Sequence, residues 1–309
     1  MALTKEDIMS VKGRGFLQNR GTELFSGRCV AKGAVFTAAE FKTLGEIAEK
    51  FGNGKVICTS RLNVEVPGIP FDKIPDAEQY ALERGLKFGG TGAKIRPVTA
   101  CKGSTCVYGN CDTHGIAAKI HDEFYIGWNS VKLPHKFKIG VGGCPNSCMK
   151  PSLNDVGIEG HKIPVINAEK CRGCGKCAVE EVCPMKCAKV VDGKITIDTS
   201  ICMTCGVCTG KCPFGSVENQ AETVYKIYVG GTWGKRTRMG TPLSRFVTED
   251  EIYPIIAKVM LWFKENAYAK ERLGIAIDRV GIEQMEKAVF SDDLLKRKDE
   301  IISAPILEK

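Results

Sequence analysis

Cysteine is the residue type through which this chain announces its chemistry. There are sixteen, fourteen of them between Cys101 and Cys212, with only Cys29 and Cys58 outside. Thiolates are soft ligands suited to iron and zinc, and disulfides are disfavoured in a reducing compartment, so this density predicts bound metal rather than cross-links. Two stretches repeat: Cys202-x2-Cys205-x2-Cys208-x3-Cys212-Pro213 follows Cys171-x2-Cys174-x2-Cys177, whose Cys183-Pro184 comes after five residues instead of three. A separate set comprises Cys101-x4-Cys106 and Cys144-x3-Cys148, the latter within Gly142-Gly143-Cys144-Pro145-Asn146-Ser147-Cys148.

The second repeat has the bacterial ferredoxin pattern. Three cysteines two residues apart wrap three corners of a [4Fe–4S] cube, and the fourth, followed by proline, ligates the other cube. Crossed in this way, Cys171, Cys174, Cys177 and Cys212 hold cluster one, and Cys202, Cys205, Cys208 and Cys183 hold cluster two. The longer step to Cys183 reads as a longer turn, and Cys187, outside the scheme, as a buried spectator. Paired CxxC motifs also hold structural zinc, but triple runs with a remote Cys-Pro, occurring twice, point to iron–sulfur. Two such cubes form a one-electron relay. A relay does no bond chemistry, so the surrounding domain supplies a catalytic centre or passes electrons onward.

With Cys101, Cys106, Cys144 and Cys148 in view, the chain resembles the sulfite and nitrite reductase family, which couples a [4Fe–4S] cluster to sirohaem. Thr59-Ser60-Arg61-Leu62-Asn63 is similar to that family's TTRQ-type strand, Arg96-Pro97-Val98-Thr99-Ala100-Cys101 to its Arg-Asn-Val motif, and Leu133 to Lys138 to its basic strand. Val229-Gly230-Gly231 and Arg272 to Gly281 match its closing region. The resemblance spans nearly the whole chain, and a ferredoxin insert in a short, single-repeat chain is most similar to the anaerobic sulfite reductase branch. It implies that Cys101, Cys106, Cys144 and Cys148 ligate a third cube, with Cys148 bridging it to the sirohaem iron. The cofactors implied are sirohaem and three [4Fe–4S] clusters, and the reaction is six-electron reduction of sulfite to sulfide. Electrons would come from iron–sulfur or flavin partner subunits or a ferredoxin. Nitrite to ammonia on the same site is the alternative, and a non-catalytic iron–sulfur electron carrier without sirohaem is another.

Two features depart from the family pattern. The first cysteine pair is spaced by four residues where the family has five, which makes Cys111 a rival to Cys106 as second ligand. Larger relatives carry two copies of the half-domain, whereas this chain has one. The resemblance therefore leaves open a homodimer that builds each site across its interface or a compact monomeric site.

The substrate is an anion whose leaving oxygens must be protonated, and Arg61, Arg96, Lys136 and Lys138 stand at the family-matching basic positions. Guanidinium groups bind oxyanions in a fork, ammonium groups can also give up protons, and fixed charges stabilise negative charge as electrons arrive. The same groups would offset sirohaem's carboxylates. Lys136 and Lys138, two apart on a strand, face one side. His114 and His135 adjoin motifs but read more simply as local hydrogen-bonding residues. Trp233 and Arg236 either line the sirohaem or belong to a solvated loop.

The elements that must position these residues read as an α+β chain: a ferredoxin-like α/β half-domain over 1–90, and a sirohaem and [4Fe–4S] reductase domain over 91–163 and 220–309. A ferredoxin-type insert of 164–219 interrupts the second. Strands are expected at Gly27–Phe36, Val56–Thr59, Asn63–Val66, Lys136–Val141, Ile195–Ile197 and Val224–Val229. Capping boxes at Thr37–Glu40 and Thr248–Glu251 start helices, the first ending at Gly52 and Gly54, the second near Lys270; others cover Ala77–Leu86 and begin near Ile282. Of 309 residues 43% are hydrophobic and 26% charged, the balance of a globular protein. No apolar run reaches the roughly 20 residues of a membrane span, and the N-terminus lacks a secretory signal, so a cytoplasmic location is expected. The formal charge of +8 is spread along the chain without aromatic interleaving, which argues against nucleic acid. No Gly-x-Gly-x-x-Gly follows a strand, which argues against direct binding of NADH.

Overall fold

The computed structural model describes residues 3–218 and 222–309. The N-terminal unit runs α1 (Lys5–Lys12), β1 (Phe16–Gln18), β2 (Leu24–Cys29), α2 (Ala38–Phe51), β3 (Ile57–Cys58), β4 (Val64–Pro70) and α3 (Ile74–Leu82). Its strands form an antiparallel sheet in the order β1-β2-β4-β3. The Thr37 hydroxyl accepts the Glu40 N–H while the Glu40 carboxylate accepts the Thr37 N–H, so α2 starts where the capping box places it. Its Leu44, Ile47 and Ala48 are buried in one core with Phe25, Val66 and Ile69 of the sheet. Each such large side chain contributes roughly 1.5–3 kcal/mol on burial.

Several boundaries differ from the sequence expectations, each for a local reason. The strand expected over 27–36 begins at Leu24 and stops at Cys29, because Gly33 and Ala34 turn left-handed at φ 60° and 62°. The break expected at Arg61 is the tip of the β3–β4 hairpin, where Thr59 donates its N–H to Asn63 O. The helix expected over 77–86 starts earlier, at Ile74 with a proline in its first turn, and ends at Leu82 before Gly85 at φ 79°.

The second unit begins with β5 (Thr99–Ala100), α4 (Thr113–Ile120), β6 (Ile139–Gly142) and β7 (Val156–Lys162). An excursion follows with α5 (Ala178–Val182) and the hairpin β8 (Ala188–Val191) and β9 (Lys194–Ile197), after which β10 (Thr223–Val229), β11 (Thr241–Pro242), α6 (Glu249–Asn266), α7 (Leu273–Val280), α8 (Ile282–Phe290), α9 (Asp293–Lys296) and α10 (Lys298–Ser303) complete the unit. The sheet order is β11-β10-β7-β6-β5, with β5, β6 and β7 parallel and β10 antiparallel to β7. Lys162 at the end of β7 pairs with Thr223 at the start of β10. The cysteine-rich segment therefore leaves and rejoins the sheet at one hairpin end. The expected junction at 219/220 lies outside the described residues.

α6 starts at the capping box of Thr248 and Glu251 but stops at Asn266, short of Lys270. Beyond it the Tyr268 N–H turns to Glu271 and the Lys270 N–H to Pro134 O. Lys136 and Lys138 precede β6 rather than lying in it. Phe137 between them makes a single parallel bridge to Ile95 and is fully buried, so both lysines face the opposite side as expected. The insert has its own small core of Val179, Cys183, Cys187, Ala188, Ile195 and Val217, with cysteines packed around it. A core this small does not hold a fold by itself.

Candidate active site

β5 and β6 run parallel, Thr99 opposite Gly140 and Ala100 opposite Val141, so the chain leaves both strands at the same edge. Cys101 follows the first and Gly143-Cys144 the second, which is where open parallel sheets place ligands. The Gly143 N–H donates to Cys101 Sγ at 3.2 Å, and Thr113 Oγ1 donates to Cys101 O at 2.7 Å. A Cβ on Gly143 would lie 2.9 Å from Gly103 Cα. Only glycine lets the two cysteine loops approach this closely.

Cys101, Cys106, Cys144 and Cys148 all line one cavity of about 880 Å³, with Cys148 exposed in it. Burial, and after it the sulfurs of Cys101, Cys106 and Cys148, push the Cys144 thiol up. Cys111 is not among the lining residues. It packs against Gly160, where an added Cβ would meet its sulfur at 2.8 Å, and burial pushes its thiol up to about 12. His114 and Trp233 also line the cavity, whereas Arg236 does not.

A second cavity of about 230 Å³ adjoins the first and shares Ser60, Arg61 and Lys138 with it. Arg28, Arg96 and Lys136 also line it, so the structure brings Arg61, Arg96, Lys136 and Lys138 together. Arg61, at the hairpin tip, donates to Asn154 Oδ1 at 3.0 Å and Pro97 O at 2.9 Å; Arg96 donates to Gly90 O at 2.6 Å. The Nε–H groups of Arg61, Arg96 and Arg272 are buried without an acceptor. Neither lysine ammonium has an ion-pair partner among the described residues.

These cations depress one another. Burial lowers Arg61 to about 10 against the pull of Asp155. Burial followed by Arg61 and Arg272 lowers Lys138 to about 8, and Lys136 is lowered by burial, then by Arg272 and Arg96. His135 falls to about 4 through burial and the neighbouring cations, and its Nδ1 accepts the Lys136 N–H at 2.7 Å, which leaves it a neutral local acceptor. Beneath them lies fully buried Asp155, accepting Arg272 Nη2 on both oxygens at 2.9 Å and the Lys138 N–H at 2.8 Å.

Arg28, Asn154, Asp155 and Arg272 went unnoticed as site residues in the sequence. The closing match at Arg272 to Gly281 pointed to the right segment, but nothing local marks Arg272 as the partner of an aspartate 117 residues away.

In the insert, Cys183, Cys202, Cys205 and Cys208 surround one small space, and Cys187 joins them. The Cys183 and Cys187 sulfurs are 3.4 Å apart, so Cys187 is buried but in contact with that group. The five residues before Cys183 form the helix α5, not a longer turn. On the other side, the backbone N–H groups of Gly173 and Ile195 pull the Cys171 thiol down, and Cys212 is close enough to oppose them. No three His, Cys, Asp or Glu side chains among the described residues converge on a single ion.

Left-handed non-glycine residues stand beside three of these groups: Leu62 (φ 58°) after Arg61, Ser147 (φ 52°) before Cys148, and Thr204 (φ 52°) before Cys205. Such backbone persists where surrounding structure enforces it, most often at functional sites.

The fold is shared with known proteins. The crystal structure of dissimilatory sulfite reductase I superposes with a TM-score of 0.68 at 20% identity, over 91% of this chain and 72% of that one. Coenzyme F420-dependent sulfite reductase of Methanocaldococcus jannaschii is 34% identical over 81% of this chain, which spans 39% of that protein's length. One of the subunits of the anaerobic sulfite reductase of Salmonella typhimurium is 29% identical over 88% of this chain and 84% of its own length. Residues 16–84 match the nitrite/sulfite reductase ferredoxin-like half domain, and residues 91–298 match the nitrite and sulphite reductase 4Fe-4S domain. With these two matches covering most of its length, the chain belongs to the nitrite and sulphite reductase family.

Proposed function

We propose that this chain is a sirohaem-dependent reductase that carries sulfite to sulfide by six electrons, with the insert as its electron relay. The carrying observation is the junction of the two cavities at Ser60, Arg61 and Lys138, one floored by four cysteines and the other walled by cations. About 880 Å³ is at the upper end of cofactor pockets. The buried, acceptor-less Nε–H groups of Arg61 and Arg96 suit a carboxylate-rich macrocycle and a bound oxyanion, so the residues fit sirohaem.

When bound, sirohaem supplies an electron-rich iron for the substrate's sulfur. In this reading Cys101, Cys106, Cys144 and Cys148 would hold the adjacent cube, and Cys148 would be the thiolate that couples it to the sirohaem. The chain's own residues do the rest. Arg61 and Arg96, which line the second cavity, orient the oxyanion by their charge. Lys136 and Lys138 hold protons at Nζ for the departing oxygens, and the lowered proton affinity of Lys138 makes it the readier donor. In the insert, Cys171, Cys174, Cys177 and Cys212 would hold one cube and Cys202, Cys205, Cys208 and Cys183 the other. The grouping of Cys183 with Cys202, Cys205 and Cys208, and of Cys212 with Cys171, supports this crossed assignment.

The reading includes an iron–sulfur or flavin donor subunit or a ferredoxin. Of the homodimer and the compact monomeric site, the meeting of cysteines and cations within one chain favours the monomeric site. The division into 1–90, 91–163 with 220–309, and 164–219 is supported by three separate sheets and cores. A reducing, cytoplasmic location belongs to the same reading, because cysteine kept as metal ligand suits a reducing compartment; no helix among the described residues is long and apolar enough to cross a membrane.

The protein purified without air tests the proposal. Expected are a Soret-like tetrapyrrole band, about thirteen irons per chain, and oxidation of reduced methyl viologen by sulfite. Faster turnover with nitrite would move the substrate to the family's other anion, and zinc in place of iron, or no tetrapyrrole, would overturn the reading. Cys106→Ser is expected to remove about four irons together with the tetrapyrrole band. Cys111→Ser should keep both, and the reverse pattern would reassign the second ligand.

A further inference from the structure

Asn110 ties the second insert loop to the cysteines of the main cavity. Its Nδ2 donates to Cys205 O at 3.3 Å and to Gly160 O at 3.2 Å. Its own N–H donates to Gly143 O at 2.8 Å, and Gly143 in turn donates to Cys101 Sγ at 3.2 Å and is bonded to Cys144. One side chain and a few hydrogen bonds therefore connect a thiol of the insert to two thiols of the reductase cavity.

The same loop is pinned a second time. The Lys162 N–H donates to Thr204 O at 2.9 Å, and His161, 1% exposed, places Nδ1 2.7 Å from Thr204 Oγ1 and Nε2 3.1 Å from buried Glu159. There is also no spare room, since a Cβ on Gly206 would meet Asn110 Oδ1 at 2.9 Å. The loop of Cys171 to Cys177 bonds differently. Among the described residues, the Cys171 N–H goes to Ala168 O, and its carbonyl and sulfur accept from Lys194 and Ile195, all within the insert.

We infer that the cube of Cys202, Cys205, Cys208 and Cys183 is the one that hands electrons to the cube of Cys101, Cys106, Cys144 and Cys148, with Asn110 as the positioning residue for that transfer. This rests on the iron–sulfur reading above and gives it an order: the cube of Cys171, Cys174, Cys177 and Cys212 is the outer one, charged by a low-potential one-electron donor. In each transfer the inner cube is oxidised by one electron and the Cys148 cube reduced by one. No bond forms or breaks.

The test uses the full chain with its cofactors loaded. A flash-generated pulse of methyl viologen radical, below one electron per chain, is followed optically at the tetrapyrrole band. In Asn110→Leu and the near-isosteric Asn110→Asp, the slow intramolecular phase is expected to fall about tenfold, with iron content unchanged. Both variants keep the backbone carbonyl that accepts from Thr223 Oγ1, so a folding failure in one leaves the other to decide. In the fully reduced protein, Cys205→Ser should remove the magnetic broadening that the insert imposes on the catalytic cube's EPR signal, and Cys174→Ser should keep it. A slow phase unchanged in both Asn110 variants, or broadening lost with Cys174→Ser instead, overturns the route. An unmutated chain short of three cubes would instead remove the reading on which the route stands, and the iron count tells the two failures apart.

Discussion

Lys138→Met is expected to lower sulfite turnover about 10²–10³-fold, the usual cost of losing one preorganised donor at a site of developing charge, while making the unloaded chain more stable. The two effects share one cause. Lys138 is packed among Arg61, Arg272 and Lys136 with no acceptor for its ammonium among the described residues, and burial with these neighbours lowers it from 10.5 to about 8. Below pH 8 it is charged in both folded and unfolded chains, and folding bears the full cost of crowding that charge. Between pH 8 and 10.5 the unfolded chain binds more protons than the folded one, so stability rises with pH across that window. Because the side chain stays partly in water, the gain from removing the charge is discounted to about 1 kcal/mol. Urea unfolding of the cofactor-free protein at pH 7.5 and 9.5 checks this. The parent should gain stability at the higher pH from this group, and Lys138→Met should already have that gain at pH 7.5. A variant less stable than the parent at both pH values would show that the ammonium is satisfied in the fold. Turnover within twofold of the parent would remove Lys138 from the chemistry.

Such crowding of like charge brings together residues from distant parts of the chain, which bears on what was legible in sequence. The cysteine sets stood out because a ligand pattern is a rule about residues close in sequence, and the fold brings Cys101, Cys106, Cys144 and Cys148 to one cavity. The capping boxes at Thr37 and Thr248 were legible for the same reason, since each is a contact across three residues. Arg61, Arg96, Lys136 and Lys138 were reached through resemblance to a family, and the fold gathers them from a hairpin tip and from segments flanking β5 and β6. What the sequence did not disclose are partners distant along the chain. Asn110 meets Cys205 across 95 residues, and Arg272 meets Asp155 across 117. Neither pair has a spacing rule, because β7 and β10 close the sheet around an insert of arbitrary length. Cys187 is buried as expected, and its contact is another that spacing does not carry. It has no place in the ligand spacing, yet α5 and the β8–β9 hairpin fold its sulfur against Cys183.

Asp155 is the counterweight to the whole cationic wall, and removing its charge should cost the fold more than any single cation does. It is fully buried, and burial pushes its carboxyl up while Arg272 and the Lys138 N–H pull the other way. Asp155→Asn leaves the Arg272 guanidinium, whose Nε–H already lacks an acceptor, facing a neutral amide. Breaking one side of a buried pair typically costs about 3–5 kcal/mol, and urea unfolding should show a loss in that range. Arg272→Met in the same chain is expected to recover about 2 kcal/mol or more of it, as coupling within one ion pair. The consequence for turnover has a sign fixed by the same contacts. Asp155 supports the charged forms of Lys136 and Lys138, so without it both ammonium groups lose their protons at lower pH. The alkaline limb of the sulfite rate profile should then move to lower pH in Asp155→Asn, whereas a purely structural role would reduce the rate without moving the limb. A stability loss under about 1 kcal/mol, or an alkaline limb that stays in place, would mean that the cations are balanced by some other group and that Asp155 only shapes the turn before β7.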